Sequence, residues 1–203
     1  MKLSVIIPVF KGENTISALF NKIRESLNDK FDFEIIFIDD KSVDNSWERI
    51  DHLMKTYPDI VKGIRFKRNY GQHRAIMHGL DIASGDFLIT LDEDMQHDPK
   101  YIPQMVSFMI TNDLDVLYGD FLEFKKKGIR KLGSKIGRIL AVILLPYLYK
   151  KYSPFRIIRK GTLKPDEIKQ NVIFIDGLLG KATQRIGSYP IEHFENGRPS
   201  SCT

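Results

Sequence analysis

In FLITLDEDMQHDP, residues 87–99, an apolar run of strand character breaks into a cluster of carboxylates. Asp92 and Asp94 stand one residue apart at the end of that run. Such carboxylates repel each other unless a cation lies between them, and oxygen-rich sites suit hard divalent ions such as Mg²⁺ or Mn²⁺. Because Mg²⁺ commonly binds through one or two carboxylates plus substrate phosphates, the stretch predicts a metal site for a phosphorylated ligand. A solvated acidic turn is the alternative.

Strands and helices alternate along the first half of the chain. Apolar runs predict strands at Leu3–Val9, Glu34–Ile38, Val61–Phe66 and Phe87–Leu91, and helical spacing predicts helices over Thr15–Leu27, from near Trp47, and over Gln72–Ala83. This alternation indicates an α/β fold with a Rossmann-like, mostly parallel sheet covered by helices on both faces. Ligands bind at the carboxyl ends of such strands, so Asp39 and Asp40 are expected to share one site with Asp92–Asp94. Since neither phosphate-binding glycine pattern is present, a metal is expected to hold the phosphates.

Length and composition set the broad class. The chain has 203 residues, 42% of them hydrophobic and 28% charged, which suits one large domain that buries its own core. Its only cysteine is Cys202, so an intramolecular disulfide or a zinc cluster is excluded, in keeping with a reducing compartment. Residues 1–9 resemble a strand rather than a signal peptide, and no apolar run reaches the roughly 18 residues of a membrane span. A soluble or peripheral protein is predicted.

The excess positive charge lies in one segment. Lys125–Lys164 holds thirteen of the 31 Lys and Arg residues and no Asp or Glu, which leaves 18 basic against 26 acidic residues elsewhere, a net charge of −8. Within it, Ile139–Tyr149 is apolar on nearly every face and too short to span a bilayer. This combination suits an anionic membrane surface, while a homo-oligomer interface and an ordinary packed helix stay open. Aromatic residues interleaved for base stacking are absent, which argues against nucleic acid.

Three motifs in order carry a family resemblance: SVIIPVFKGENTI (4–16), IIFIDDKSVDNS (35–46), and residues 68–99, which end in the acidic cluster. They resemble the nucleotide-sugar-binding half of inverting family 2 glycosyltransferases of GT-A fold. Within that family they are most similar to polyprenyl-phosphate glycosyltransferases, which include dolichyl-phosphate mannose synthase. The resemblance implies a nucleotide-sugar-binding core at residues 1–120. Residues 121–203 would form the acceptor-side and membrane-proximal region of the same catalytic domain.

The resemblance implies a nucleobase site at the ends of the first two strands. Pro8, Phe10 and Asp40 would surround the base, with the Asp40 carboxylate accepting a base N–H and Asp39 beside it. Phe10 stands where the family usually has Tyr, so a stacking surface is kept and a hydroxyl is lost. Simpler roles stay open: Pro8 shaping the strand end, Phe10 packing in the core, and Asp39 capping a turn.

At the other end of the donor, the resemblance implies that Asp92 and Asp94 flank the diphosphate and the metal, with Gln96 beside them. Asp94 would thereby take part in catalysis. Asn69, Gly71, His73 and Arg74 match the family's loop before the third helix, and they either line the donor pocket or simply start that helix.

The last third of the chain matches more loosely. Asp176 stands in the region where many GT-A enzymes have the base that deprotonates an acceptor hydroxyl, and His193 where a later His contacts the metal. Ending a strand is the alternative for Asp176, and a surface or packing role is the alternative for His193. The family's C-terminal motif, an Arg followed by G-x-S-x-Tyr, is only partly met, because Cys202 stands in place of the Tyr. A second departure is Phe121, which lies where an Arg is expected after Gly119.

The resemblance, together with the acidic site, implies a metal-dependent, inverting transfer of a sugar from a nucleotide-sugar to a polyprenyl-phosphate carrier, in the synthesis of cell-surface polysaccharides or glycans. The protein would be cytoplasmic and peripheral at the cytoplasmic face of the membrane. One alternative is transfer to a saccharide hydroxyl with Asp176 as base. Another is an inactive nucleotide-sugar-binding relative, favoured by the departures at Phe121 and Cys202. Many members of the subgroup continue into two transmembrane helices after the C-terminal motif, where this sequence stops.

Overall fold

The computed structural model describes residues 1–121, 153–169, 175–192, 194–195 and 198–199. Four predicted features fall outside these ranges: His193, Cys202 of the C-terminal motif, the apolar stretch Ile139–Tyr149, and the greater part of the basic segment. Among the helices that are described, none combines the length and apolarity needed to cross a bilayer.

The first half of the chain alternates strands and helices as predicted. The elements are β1 (Lys2–Val9), α1 (Ile16–Leu27), β2 (Asp32–Asp39), α2 (Ser46–Thr56), β3 (Val61–Arg65), α3 (Gln72–Ile82) and β4 (Phe87–Thr90). Each predicted strand and helix is therefore confirmed, with boundaries that differ by two residues or fewer.

The second half contributes further elements. They are a 3₁₀ turn (Pro99–Tyr101), α4 (Ile102–Thr111), β5 (Val116–Phe121), β6 (Arg156–Arg159), α5 (Pro165–Lys169), α6 (Ile175–Ala182), β7 (Ile186–Ile191) and a small hairpin of β8 (Phe194–Glu195) and β9 (Arg198–Pro199). Asp176 lies in the first turn of α6, so the alternative that it ends a strand is wrong.

Within the described residues, seven strands form one mixed sheet in the order β3-β2-β1-β4-β6-β5-β7. All run parallel except β6, which pairs antiparallel with β4 on one side and β5 on the other. The predicted mostly parallel sheet is confirmed, and the reversed strand was not predicted. Because β6 and β7 come from residues after 120, the sheet draws strands from both predicted regions of the chain.

A hydrophobic core covers each face of the sheet. Leu3 and its alternate neighbours in β1 pack with α1 and α4, while Ile6 points to the opposite face and packs with α3. Helix α3 lies close to β1 there, because Gly79 has no side chain: a Cβ on it would fall 2.3 Å from Ile6 Cγ2. This close packing fixes α3 against the centre of the sheet, and its first residue, Gln72, thereby reaches the carboxyl edge.

Candidate functional site

A pocket lies at the carboxyl edge of the sheet, where the loops after β1, β2 and β4 meet the start of α3. Its lining residues are Pro8, Val9, Phe10, Asp40, Gln72 and Glu93. Because β1 lies between β2 and β4 in the sheet, the loops after β2 and β4 flank the carboxyl end of β1. The structure therefore brings three predicted nucleobase residues together with a carboxylate of the acidic cluster.

Phe10 offers an aromatic surface at this pocket. Its side chain is 45% exposed, so the alternative of core packing is wrong, whereas Pro8 is buried within β1. The Lys11 ammonium lies 5.3 Å from the Phe10 ring centroid, and the Phe10 N–H donates to Glu93 Oε1 at 3.3 Å. A solvent-accessible ring beside a polar pocket suits the stacking of a planar group.

Asp40 is buried and holds the loop before α3. Its Oδ1 accepts the Tyr70 N–H and its Oδ2 accepts the Gly71 N–H, both at 2.7 Å. Each carboxylate oxygen has a second lone-pair site, so these bonds leave capacity for one more donor. The loop at residues 69–74 is thus attached to the pocket as well as starting the helix.

Asp39 differs from its neighbour in being fully buried and absent from the pocket lining. Its Oδ1 accepts the Ser42 N–H at 3.0 Å, and its Oδ2 lies 3.1 Å from Arg65 Nε. The carboxylate therefore stabilises the turn after β2, the simpler role that the sequence left open.

Hydrogen bonds join the loop after β1 to the loop after β2. Successive backbone N–H groups of residues 11–13 donate to Ser42 Oγ, Ser46 Oγ and Asp44 Oδ2 at 3.0, 2.9 and 3.2 Å. Asp44 Oδ1 also accepts from the Ser46 hydroxyl at 2.6 Å. The two loops that carry Phe10 and Asp40 consequently form one connected unit.

Each of the three site loops also turns at a non-glycine residue in the left-handed region. These are Lys11 after Phe10, Lys41 after Asp40 and Met95 after Asp94, with φ of 62°, 62° and 61°. The left-handed conformation costs a non-glycine residue about 1–2 kcal/mol. The surrounding hydrogen bonds must offset this cost, as is typical of functional loops.

The electrostatics of the acidic loop are set by crowding. Burial, followed by the charges of Asp94 and Glu93, raises the pKa of Asp92 to about 7, and the positive charge of Arg156 acts in the opposite direction. Burial also raises the pKa of Glu93. A bound cation would relieve this repulsion and favour the ionised carboxylates.

The donor set at this loop fits a hard divalent cation without completing its coordination. Asp94 is exposed, and its Oδ1 accepts the Gln96 N–H at 3.0 Å. In the part of the chain that the structure describes, no group of three or more His, Cys, Asp or Glu side chains is arranged to hold a metal. Two carboxylates are what Mg²⁺ commonly takes from a protein when phosphates and water supply the other ligands.

Asp176 lies away from the pocket lining, on α6. Asp176 is 5% exposed, its side chain forms an ion pair with Arg156 of β6, and its Oδ1 accepts the Tyr118 hydroxyl at 2.9 Å. A carboxylate committed to a buried guanidinium is poorly placed to take a proton from an incoming substrate.

Sequence reasoning missed three residues of this region. Gln72 and Glu93 line the pocket, and Arg156 is a buried cation whose charge reaches Asp92. Gln72 was counted only as the start of a helix. Arg156 was counted in the basic segment expected to meet a membrane, and its burial corrects that expectation, because β6 carries it into the middle of the sheet.

Comparison with known proteins gives a consistent result. The family model "Glycosyl transferase family 2" matches residues 4–180. A dolichol-phosphate mannosyltransferase from Pyrococcus furiosus is 33% identical over 178 residues, 83% of this chain and 49% of the relative. An undecaprenyl-phosphate 4-deoxy-4-formamido-L-arabinose transferase from Proteus mirabilis is 39% identical over 107 residues, 52% of this chain and 33% of the relative. The chain thus spans about half the length of the first relative.

Solved glycosyltransferases share the architecture. The mannosyltransferase PcManGT from Pyrobaculum calidifontis, in complex with GDP-Man and Mn²⁺, aligns over 96% of this chain and 56% of its own with a TM-score of 0.68 at 15% identity. TarS from S. aureus, in complex with UDP-GlcNAc, aligns over 97% of this chain and 60% of its own with a TM-score of 0.64 at 20% identity. These likenesses confirm the predicted GT-A fold.

Proposed function

We propose, because this chain belongs to glycosyl transferase family 2, that it transfers a sugar with inversion from a nucleotide-sugar to a polyprenyl-phosphate lipid. The observation that carries the proposal is the pocket in which Pro8, Phe10 and Asp40 meet Glu93 beside the Asp92–Asp94 loop. An aromatic surface and a buried carboxylate at one end, with a carboxylate pair at the other, suit the base and the diphosphate of one extended donor.

The nucleobase end rests on Phe10 and Asp40. The exposed Phe10 ring would stack on the base, and Asp40, which keeps unused lone pairs, would accept a base N–H. Such a buried acceptor favours a base that presents a donor and disfavours one that does not, because the carboxylate would then be desolvated without a partner.

The diphosphate end rests on Asp92 and Asp94, which would hold Mg²⁺ or Mn²⁺. When bound, the cation supplies positive charge that neutralises the leaving diphosphate. Gln96, whose N–H donates to Asp94, would keep that carboxylate oriented. His193 is proposed as a further ligand on the resemblance alone.

The acceptor chemistry requires no base. A phosphate acceptor is already an anion near pH 7, because its second pKa is about 6. Its oxygen forms the new bond to the anomeric carbon while the bond from that carbon to the diphosphate oxygen breaks, and the electron pair of the broken bond leaves with the nucleoside diphosphate. Residues 1–120 would bind the donor and residues 121–203 the acceptor. The basic residues of Lys125–Lys164 other than the buried Arg156 would hold the chain peripherally at an anionic, cytoplasmic membrane face.

Turnover tests the proposal directly. The full chain is incubated with radiolabelled nucleotide-sugars, Mn²⁺ or Mg²⁺, and a short polyprenyl phosphate in detergent, and label is counted in the lipid extract. We expect label in the lipid with at least one donor, and its loss in Asp94→Asn and in EDTA. Label that appears only in a saccharide acceptor would favour the hydroxyl alternative. Donor binding by thermal shift without transfer to any acceptor would favour an inactive binding protein.

A further inference from the structure

Gln72, the first residue of α3, lies between the two ends of the donor pocket. Its carboxamide Nε2 donates to Asp92 Oδ1 at 2.6 Å, and its side chain lines the pocket together with Phe10 and Asp40. A carboxyl oxygen accepts such a bond in both its ionised and its protonated form. Gln72 therefore holds the carboxylate that would meet the metal, although it belongs to a different element.

The backbone that precedes Gln72 is held by Asp40. The two Asp40 oxygens accept the N–H groups of Tyr70 and Gly71, the two residues immediately before Gln72. Gly71 has φ of 89°, a conformation that other residues rarely adopt, so the chain changes direction sharply there. The direction in which α3 starts, and thus where the Gln72 side chain reaches, depends on these bonds.

We infer that Gln72 is a positioning residue for Asp92 and that Asp40 acts on the acidic loop through it. This inference rests on the proposed function of the pocket. A chain of contacts connects the nucleobase end of the pocket to the metal end. Asp40 fixes the backbone of residues 70–71, this backbone positions Gln72, and Gln72 orients Asp92. Because the amide is neutral, it orients the Asp92 carboxylate without adding a positive charge that would repel a cation.

Metal affinity is the property that this arrangement controls. Residues that orient a metal ligand from outside typically change affinity or activity by about 10- to 100-fold when removed. The side chain of Gln72 is exposed, so its loss should leave folding stability nearly unchanged. A purely structural role for Gln72 predicts the opposite pattern, with altered stability and unaltered metal binding.

The experiment compares Gln72→Leu with Gln104→Leu, a matched control at an exposed glutamine of α4. Mn²⁺ alone is titrated into the metal-free full chain and free Mn²⁺ is followed by its electron paramagnetic resonance signal. We expect Gln72→Leu to weaken Mn²⁺ binding about tenfold, with the free energy of unfolding unchanged and Gln104→Leu equal to the parent. In the metal-free protein, amide hydrogen exchange over residues 91–96 should become faster in Gln72→Leu only.

A second variant tests the connection to Asp40. Asp40→Asn removes one of the two acceptor oxygens and should also weaken Mn²⁺ binding. The double variant should bind Mn²⁺ within about twofold of Gln72→Leu, because both changes act through one hydrogen bond. Additive losses would overturn the link from Asp40 through Gln72.

The outcomes separate this inference from the proposed function. Mn²⁺ curves and exchange rates of Gln72→Leu that overlay those of the parent would overturn the positioning role. If Gln72→Leu loses Mn²⁺ affinity while the parent turns over no nucleotide-sugar, the proposed function fails and the inference stands. The exchange measurement needs no metal, so exchange rates alone decide the positioning role if Mn²⁺ without a nucleotide-sugar does not bind the parent.

Discussion

Arg156 Nη1 donates to Asp176 Oδ1 in an ion pair whose two side chains are both buried. The same Asp176 oxygen accepts the Tyr118 hydroxyl, so the carboxylate has two protein donors. Arg156 pairs with Thr90 across the β4–β6 ladder, and Thr90 lies two residues before Asp92 in the sequence. Asp176, the candidate base implied by the family resemblance, is therefore the counter-ion of the buried Arg156 near the acidic loop.

Asp176→Asn should lower the free energy of unfolding, because breaking a buried pair leaves an uncompensated charge, at a cost of about 3–5 kcal/mol. Urea denaturation at pH 7 measures the loss. Activity toward a polyprenyl-phosphate acceptor, corrected for folded protein, should stay within about tenfold of the parent, under about 1.4 kcal/mol on the barrier.

The matched control is the double variant Asp176→Leu, Arg156→Met, which replaces the pair by apolar side chains and should recover most of the lost stability. A base in the reaction would behave differently. A thousandfold loss of activity in Asp176→Asn, with stability and donor affinity unchanged, would contradict the counter-ion role and favour a hydroxyl acceptor.

Glu34, near the amino end of β2 and thus opposite the candidate site, provides a test of how a buried carboxylate contributes to folding stability. Burial raises the pKa of Glu34, but the Lys62 ammonium and hydrogen bonds from Ser4 and Ser84 outweigh it and lower the pKa to about 2. A carboxyl whose pKa is lowered on folding stabilises the fold above its ordinary pKa, about 4.5, and loses that contribution as the pH falls toward 2. Glu34→Gln should cost about 1–3 kcal/mol at pH 7.

The difference between parent and Glu34→Gln should shrink as the pH is lowered from 6 to 3, measured by urea denaturation at each pH. Glu25→Gln, at an exposed position of α1, should follow the parent throughout. A difference between parent and Glu34→Gln that stays constant over this range would show that the Glu34 charge contributes nothing.

The sequence predicts elements whose signals are local. The apolar runs of β1, β2 and β4 are continuous, and Asp40 and Asp92 follow β2 and β4 within two residues, so both could be placed at one edge of the sheet. The antiparallel β6 is four residues long, and its place between β4 and β5 comes from long-range pairing. Arg156 is buried because of that pairing, so its burial could not be predicted from the local sequence.

The role of Gln72 was hidden for a related reason. Its reach to Asp92 depends on the close packing of Gly79 against Ile6 and on the bonds from Asp40 to the loop before α3. These contacts join residues 30 or more positions apart or lie across different elements, and no local pattern reports them. Glu93 was likewise visible only as one more acidic residue in a cluster.

The basic segment Lys125–Lys164, apart from the buried Arg156, predicts salt-sensitive lipid binding. Binding to anionic vesicles should weaken sharply as salt rises from about 0.05 to 0.5 M, because the Debye length shrinks from roughly 14 to 4 Å. Vesicle flotation measures it, with neutral vesicles as the control that should bind poorly throughout. Equal binding to both kinds of vesicle at every salt concentration would defeat the electrostatic attraction.

The raised pKa of Asp92 makes stability and metal binding depend on pH in opposite directions. An acid whose pKa rises on folding, here from 3.8 to about 7, favours the folded state fully only below its ordinary pKa, and this contribution is lost as the pH rises through 7. Without metal, Asp92→Asn should therefore be more stable than the parent at pH 8, by about 2–4 kcal/mol. The gap should close toward pH 4, as measured by urea denaturation in EDTA.

Mn²⁺ binding to the parent should instead strengthen with pH, because the cation must displace the Asp92 proton. The apparent affinity should rise about tenfold per pH unit below 7 and level off above it. Asp59→Asn, at an exposed position before β3, serves as the control and should match the parent in both measurements. The free energies of unfolding of the parent and Asp92→Asn could instead differ by a constant amount from pH 4 to 8. Burial and the acidic neighbours would then not destabilise the ionised Asp92 carboxylate, and the electrostatic argument for a cation at this loop would fail.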